Sequence, residues 1–185
     1  RINNPMGMSF DSAGNLYFAD TFNHRIRKIT PAGIISTVAG RGTTGFSGDN
    51  GPATTARLFY PKGVHSGPDG RIYIADTFNS RIRVVAADGT ITTIAGNGKF
   101  GFGGDGGNSR TAELRFPNAV VAGADGKVYI SDSQNNKLRL LTPDSPGPTV
   151  EELPVNRLTG VPTAAHFRRS TTFAPGLRIA HRANR

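Results

Sequence analysis

Three evenly spaced sets of polar residues carry what chemistry this chain could perform. They are Asp20, Asn23 and Arg27, then Asp76, Asn79 and Arg83, then Asp132, Asn135 and Arg139, each set 56 residues after the last. One use would be a ring of carboxylates around a metal or cationic ligand, with the arginines (and Arg25, Arg81 and Lys137 two positions before them) as a cationic ladder. Turn architecture accounts for them more simply. An Asp accepts backbone N–H bonds, an Asn takes a left-handed conformation, and an Arg pairs with a strand carboxylate while its stem fills space. Such residues recur because the turn recurs, so these nine are read as structural.

The loops Gly48-Asp49-Asn50-Gly51 and Gly104-Asp105-Gly106-Gly107 invite a calcium reading. Each supplies one certain anionic ligand, whereas Ca²⁺ takes about 6–8 oxygens. Asp49 and Asp105 are therefore expected to cap a following helix or to fix the turn. Neither loop is followed by the Gly-Lys-Ser/Thr of a phosphate loop. No metal and no cofactor is expected.

Three side chains depart from this logic. Phe22 and Phe78 stand between Thr and Asn at a turn tip, where a large aromatic has no local use, while the third copy has Gln134. They are the candidate partner-contact residues. His65, whose counterparts are Ser9 and Val121, joins them as a candidate facing a ligand. One His without a second His or converging carboxylates is neither a zinc site nor a catalytic constellation. Phe46 and Phe102, in the glycine-rich loops, read as anchors pinning those loops to the sheet.

The elements behind these residues repeat without a gap. Residues 5–60 laid over 61–116 share 26 identities in 56 positions, so the chain is an array of one supersecondary unit. Each unit reads as four short strands separated by Gly, Pro and Asp turns. The second strand (LYFAD, IYIAD, VYISD) is apolar on both faces and needs cover on both. Radial stacking of small antiparallel sheets supplies it, as in a β-propeller. The blades are placed at 5–40, 61–96 and 117–141, with linkers at 41–60 and 97–116. In the linkers Pro52 suits a first helical turn, and Ala56, Leu58, Ala112 and Leu114 could pack inward. The reading is all-β: two and a half to three four-stranded blades joined by short helical linkers.

The run Tyr17-Phe18-Ala19-Asp20-Thr21-Phe22-Asn23-His24-Arg25-Ile26-Arg27, with its copy from Tyr73 to Arg83 and a looser one from Tyr129 to Arg139, resembles the NHL repeat. The linker Gly48-Asp49-Asn50-Gly51-Pro52-Ala53 resembles the long-linker form of bacterial extracytoplasmic and teneurin-like members. The resemblance spans about residues 1–141 and implies a propeller of usually six blades, binding proteins, glycans or RNA, with a few relatives that are lyases or lactonases. It favours an extracytoplasmic location.

Fewer than six blades do not close such a ring. Arg1-Ile2 stands in the register of Arg57-Leu58, inside a linker, and the pattern lapses after Leu141. A fragment is the expectation, with a three-plus-three dimeric ring as the alternative, and open blade faces would favour self-association. The tail at 142–185, with six prolines and no repeat register, is read as degenerate or disordered.

The chain carries a net charge of +9 and no Cys, which excludes a disulfide scaffold and Cys-ligated metal. No apolar run is long enough to span a membrane as a helix. Residues 1–141 hold 16 Lys/Arg and 10 Asp/Glu, spread singly with no dense basic block, so nucleic acid is not the favoured partner. The function expected is a non-catalytic interaction module that binds a protein or glycan through loops on one propeller face. The alternatives are a lyase or lactonase and a basic nucleic-acid binder.

Overall fold

The computed structural model of the chain describes residues 1–142 and 149–153. Its first sheet runs β1 (Pro5–Phe10), β2 (Leu16–Asp20), β3 (Arg25–Ile29) and β4 (Ile35–Ala39), each antiparallel to the next. A two-residue strand from the first linker, β5 (Gly51–Pro52), joins the outer edge of the second sheet. That sheet continues as β6 (Gly63–Ser66), β7 (Ile72–Asp76), β8 (Arg81–Val85) and β9 (Thr90–Ala95). The third holds β10 (Pro117–Ala122), β11 (Val128–Asp132), β12 (Lys137–Thr142) and β13 (Thr149–Glu152). Each sheet is a propeller blade.

The innermost strands meet across the blades, β1 on β6 and β6 on β10, and Gly7 N–H donates to the Lys62 carbonyl at 2.9 Å. The two-faced strand explains the core. Ile72 and Ile74 join Ala19, Ile26, Ala39, Ala56 and Leu58 in one cluster against the first blade. Tyr73, Ala75, Ile82 and Val84 join Leu114, Val120 and Ile130 in a second, against the third. Burying both faces of the second blade's middle strands is what ties it to the blades on either side. The outermost faces lack this cover among the described residues. Met8 is 65% exposed where its counterpart Val64 is 6%, and Leu138 is exposed where Ile82 is fully buried.

Two boundaries differ from the sequence expectation. The third blade does have a fourth strand: β13 pairs with β12 through Thr142↔Thr149 and Arg139↔Glu152. The Val150 carbonyl accepts Gly106 N–H just as the Ile91 carbonyl accepts Asn50 N–H. Val150 lies 59 residues after Ile91, three beyond the period, and that insertion takes the strand out of register. The blade therefore reaches past Leu141 to Glu152, and the tail reading for 154–185 falls outside the described residues. The linker helix is also smaller than expected, a single 3₁₀ turn at Ala53–Thr55. Pro52 is extended, with ψ 126°, because it pairs with Thr90 on the sheet edge. Ala56, Leu58, Ala112 and Leu114 are all fully buried beneath their linkers.

Candidate functional site

A 3₁₀ turn joins the second and third strands of every blade, at Thr21–Asn23, Thr77–Asn79 and Ser133–Asn135. Beneath each lies its Asp, fully buried. Asp76 accepts the Phe59 N–H at 2.8 Å and the Asn79 side-chain amide at 2.8 Å; Asp20 and Asp132 do the same with Asn3 and Asn23, and with Arg115 and Asn135. The Asn residues thus serve through their side chains. The left-handed position is one residue later, at His24, Ser80 and Asn136, where φ is 49–54° and the strand reverses.

The arginines do more than pair within their strand. Arg83 is fully buried, 3.7 Å from Asp76, and its guanidinium also reaches back into the preceding linker. There it donates to Asp49 at 2.6 Å and to the carbonyls of Ser47 and Arg57. Asp49 receives Thr93 Oγ1–H as well, at 2.7 Å. Arg139 repeats the arrangement with Asp105, Asp132 and the Gly103 and Glu113 carbonyls. Asp49 and Asp105 therefore cap no helix; they latch each linker onto the blade that follows. Phe46 lies over this latch, with the Arg81 and Arg83 guanidinium carbons 3.7 and 5.0 Å from its ring centre, and Phe102 lies similarly over Lys137 and Arg139.

Burial pushes the Asp76 carboxyl up to about 6, against its hydrogen bonds and the nearby Arg83 and Arg81 charges. A folded-state value above the unfolded one means the folded protein takes up this proton first, so Asp76 favours folding more as pH falls. Between pH 7 and 5 the gain is about 1 kcal/mol. Urea unfolding of the parent and of Asp76→Asn at both pH values should show that increment in the parent alone; equal pH responses would refute it.

The 3₁₀ turns also position the aromatic residues. Phe22 is 51% exposed and packs edge-on against Tyr60, ring centres 5.3 Å apart. Tyr60 meets Phe78 at 5.1 Å, Phe78 meets Phe116 at 4.9 Å, and Phe116 stacks on Phe100 at 4.9 Å. The result is one aromatic row running from the first blade's turn to the linker that leads into the third blade. Tyr60 and Phe116 occupy the same register just before the blade proline, both with positive φ (44° and 49°). Bulky side chains rarely adopt that conformation. Tyr60 N–H donates to His24 Nδ1 at 3.3 Å, and burial holds the His24 imidazole below its usual range. Phe22, Tyr60, Phe78, Met6, Lys62 and Thr21 line most of a hollow of about 410 Å³ at the first end of the row. Sequence reasoning singled out Phe22 and Phe78 but missed Tyr60, Phe100 and Phe116. Aligning Tyr60 with Phe116 would have found two of those three.

His65 does not join this site. It sits near the far end of β6, by the opposite set of turns, in a cleft of about 680 Å³ with Tyr17, Phe10 and Asp11. Its Nε2 lies 3.2 Å from the Ala122 carbonyl, so that nitrogen carries the proton and bridges to the third blade. No group of three or more His, Cys, Asp or Glu is placed to hold a metal among the described residues, and no described helix is long and apolar enough to cross a membrane.

Comparison with known proteins agrees with this architecture. The Teneurin NHL domain family matches residues 42–102. Teneurin-m of Drosophila melanogaster is 25% identical over 179 residues, 88% of this chain and 6% of that protein. NHL repeat-containing protein 2 of Bos taurus is 36% identical over 89 residues, 46% of this chain and 12% of that protein. An auxiliary nutrient binding protein from Bacteroides thetaiotaomicron shares the fold at TM-score 0.60 and 24% identity, over 72% of this chain and 36% of its own. A catalytically inactive virginiamycin B lyase from Staphylococcus aureus, with quinupristin, does so at TM-score 0.53 and 25% identity, over 81% and 41%. The chain thus spans a small part of these sequence relatives and less than half of these structures. Three registered blades, the repeated Asp-Asn-Arg turn and these matches together make the chain an NHL-repeat β-propeller protein.

Proposed function

We propose that the chain is a non-catalytic interaction module that binds a protein or glycan partner through the face bearing the 3₁₀ turns. The aromatic row carries this reading. Tyr60 and Phe116 each hold a left-handed backbone that costs on the order of 1–3 kcal/mol. Asn4, at the matching position of the first blade, adopts it too, but Asn tolerates it. Glycine, or an Asn as at position 4, would relieve the strain at 60 and 116. Aromatic rings there instead extend an exposed apolar strip whose ends, Phe22 and Phe100, are 51% and 58% accessible. Rigid aromatic side chains of this kind dominate binding surfaces.

The test is to screen the immobilised chain against a glycan array and a phage peptide library, then repeat the measurement with the Phe22→Ser/Phe78→Ser double variant. Retention of bound ligands should fall at least about tenfold, with the urea midpoint still showing a cooperative fold. His65→Ala, at the opposite end of the blades, should leave the same ligands bound. Ligands indifferent to the phenylalanines would sink the assignment of this face.

A further inference from the structure

The charges around the aromatic row specify what kind of partner it fits. Lys62 stands at the start of the inner strand with its side chain in the hollow, and its ammonium is 5.7 Å from the Phe78 ring centre. No carboxylate lies within ion-pair distance of it among the described residues. Most acids on this side are committed; the exception among the described residues is the half-buried Glu113, whose carboxylate lies beside Gly101 and Gly103 at the Phe100 end of the row, away from Lys62. Asp20, Asp76 and Asp132 are fully buried under their turns, and Asp49 and Asp105 hold Arg83 and Arg139. The other acids of the blade turns sit at the opposite ends of the strands. Asp11, Asp69 and Asp125 lie in the first-to-second-strand turns and Asp88 in the turn before β9. Arg57 and Arg115, both exposed, stand in the linkers close in sequence to Tyr60 and Phe116, and the second linker has Glu113 at the register of Arg57. At the hollow itself the uncompensated charge is therefore that of Lys62, whereas at the opposite ends of the blades Arg71 and Lys127 pair with Asp69 and Asp125.

Resting on the reading that this face binds a partner, we propose that its ligand is an acidic peptide segment that seats an apolar side chain in the hollow between Phe22, Tyr60 and Phe78 while an adjacent carboxylate meets Lys62. The volume of about 410 Å³ suits one or two side chains. An ammonium beside an apolar wall, with no internal counter-charge, gains most from a partner's carboxylate that excludes water as it docks. Single-stranded nucleic acid is the other polyanion such a face would attract. It needs free ring faces on which bases stack. Here Phe100 and Phe116 cover each other, at an interplanar angle of 11°, and neighbouring edges close on Tyr60 and Phe78.

The test selects random phage-displayed dodecapeptides on the full chain and measures the enriched sequences as synthetic fluorescent peptides, beside a fluorescent oligouridylate. The expected peptides combine Asp or Glu with a neighbouring Leu, Ile or Phe. Their affinity should fall about tenfold with Lys62→Glu and persist with Lys62→Arg. Peptides lost in Phe22→Ser/Phe78→Ser but indifferent to Lys62→Glu would overturn the acidic ligand and leave the binding face standing. Oligouridylate bound through the same residues, without enriched acidic peptides, would overturn it in favour of nucleic acid. Binding unaffected by the phenylalanines would remove the face itself.

Discussion

Replacing Arg83 with alanine should destabilise the chain by about 3–5 kcal/mol, the usual cost of removing one partner from a buried ion pair. That is a fall of roughly 10 °C or more in the thermal midpoint at this size. The guanidinium is fully buried and joins Asp49, Asp76 and two linker carbonyls at once, so its loss leaves two carboxylates and the linker backbone short of donors. Arg83→Lys should not rescue, since an ammonium on a flexible stem cannot reproduce a planar fork spread over four acceptors. Arg27 provides the internal control. It is partly exposed and meets Asp20 at only 3.5 Å, so Arg27→Ala should cost about 1 kcal/mol or less. Because Asp76 titrates near 6, the Arg83→Ala penalty should shrink at pH 5, where the stranded carboxyl is neutral. Urea unfolding of the three variants at pH 7 and 5 measures all of this. Equal losses for Arg83→Ala and Arg27→Ala would disprove the latch.

The latch marks where the sequence was and was not legible. Periodicity alone located the blades, because a strand apolar on both faces has to be covered on both, and Ile72–Asp76 is. The Asp, Asn and Arg of the turn were readable as architecture from their recurrence. The Asp49–Arg83 pair was not, because its members lie 34 residues apart in different elements and only the fold brings a linker against the next blade's third strand. β13 was hidden by an insertion too short to notice without coordinates. The aromatic row was half visible: Phe22 and Phe78 stood out within the repeat, whereas Tyr60 and Phe116 looked like ordinary linker ends beside a proline. Their left-handed backbone is a property of the folded chain, and it projects them onto the face. His65 was singled out for its isolation, and isolation here reflects a hydrogen bond between blades.

Gly96→Ala should cost roughly 3 kcal/mol or more, and Gly40→Ala, in the same geometry one blade earlier, should cost as much. Gly96 follows β9 directly, with φ at +90°, and turns the chain into the second linker. Two penalties combine there. A left-handed residue other than Gly, Asn or Asp costs about 1–2 kcal/mol by itself. An added methyl would also overlap the Ser80 carbonyl oxygen and stand 3.0 Å from Arg81 Cα, both main-chain atoms of the neighbouring strand that no rotamer change can move. Gly89 separates the two effects. Its φ is +84°, yet nothing lies within 4 Å of a methyl placed on it, so Gly89→Ala should cost the backbone strain alone. Trimming the next nearest neighbour, in a Gly96→Ala/Leu114→Ala pair, should not restore stability, since Leu114 Cδ1 at 3.2 Å is the obstacle that could yield and the carbonyl is not. Urea midpoints for Gly89→Ala, Gly96→Ala and the pair decide the point. If the two single substitutions cost the same, the close approach of β9 to the Ser80 turn contributes nothing, and the repeated Ala-Gly at 39–40 and 95–96 reflects backbone conformation alone.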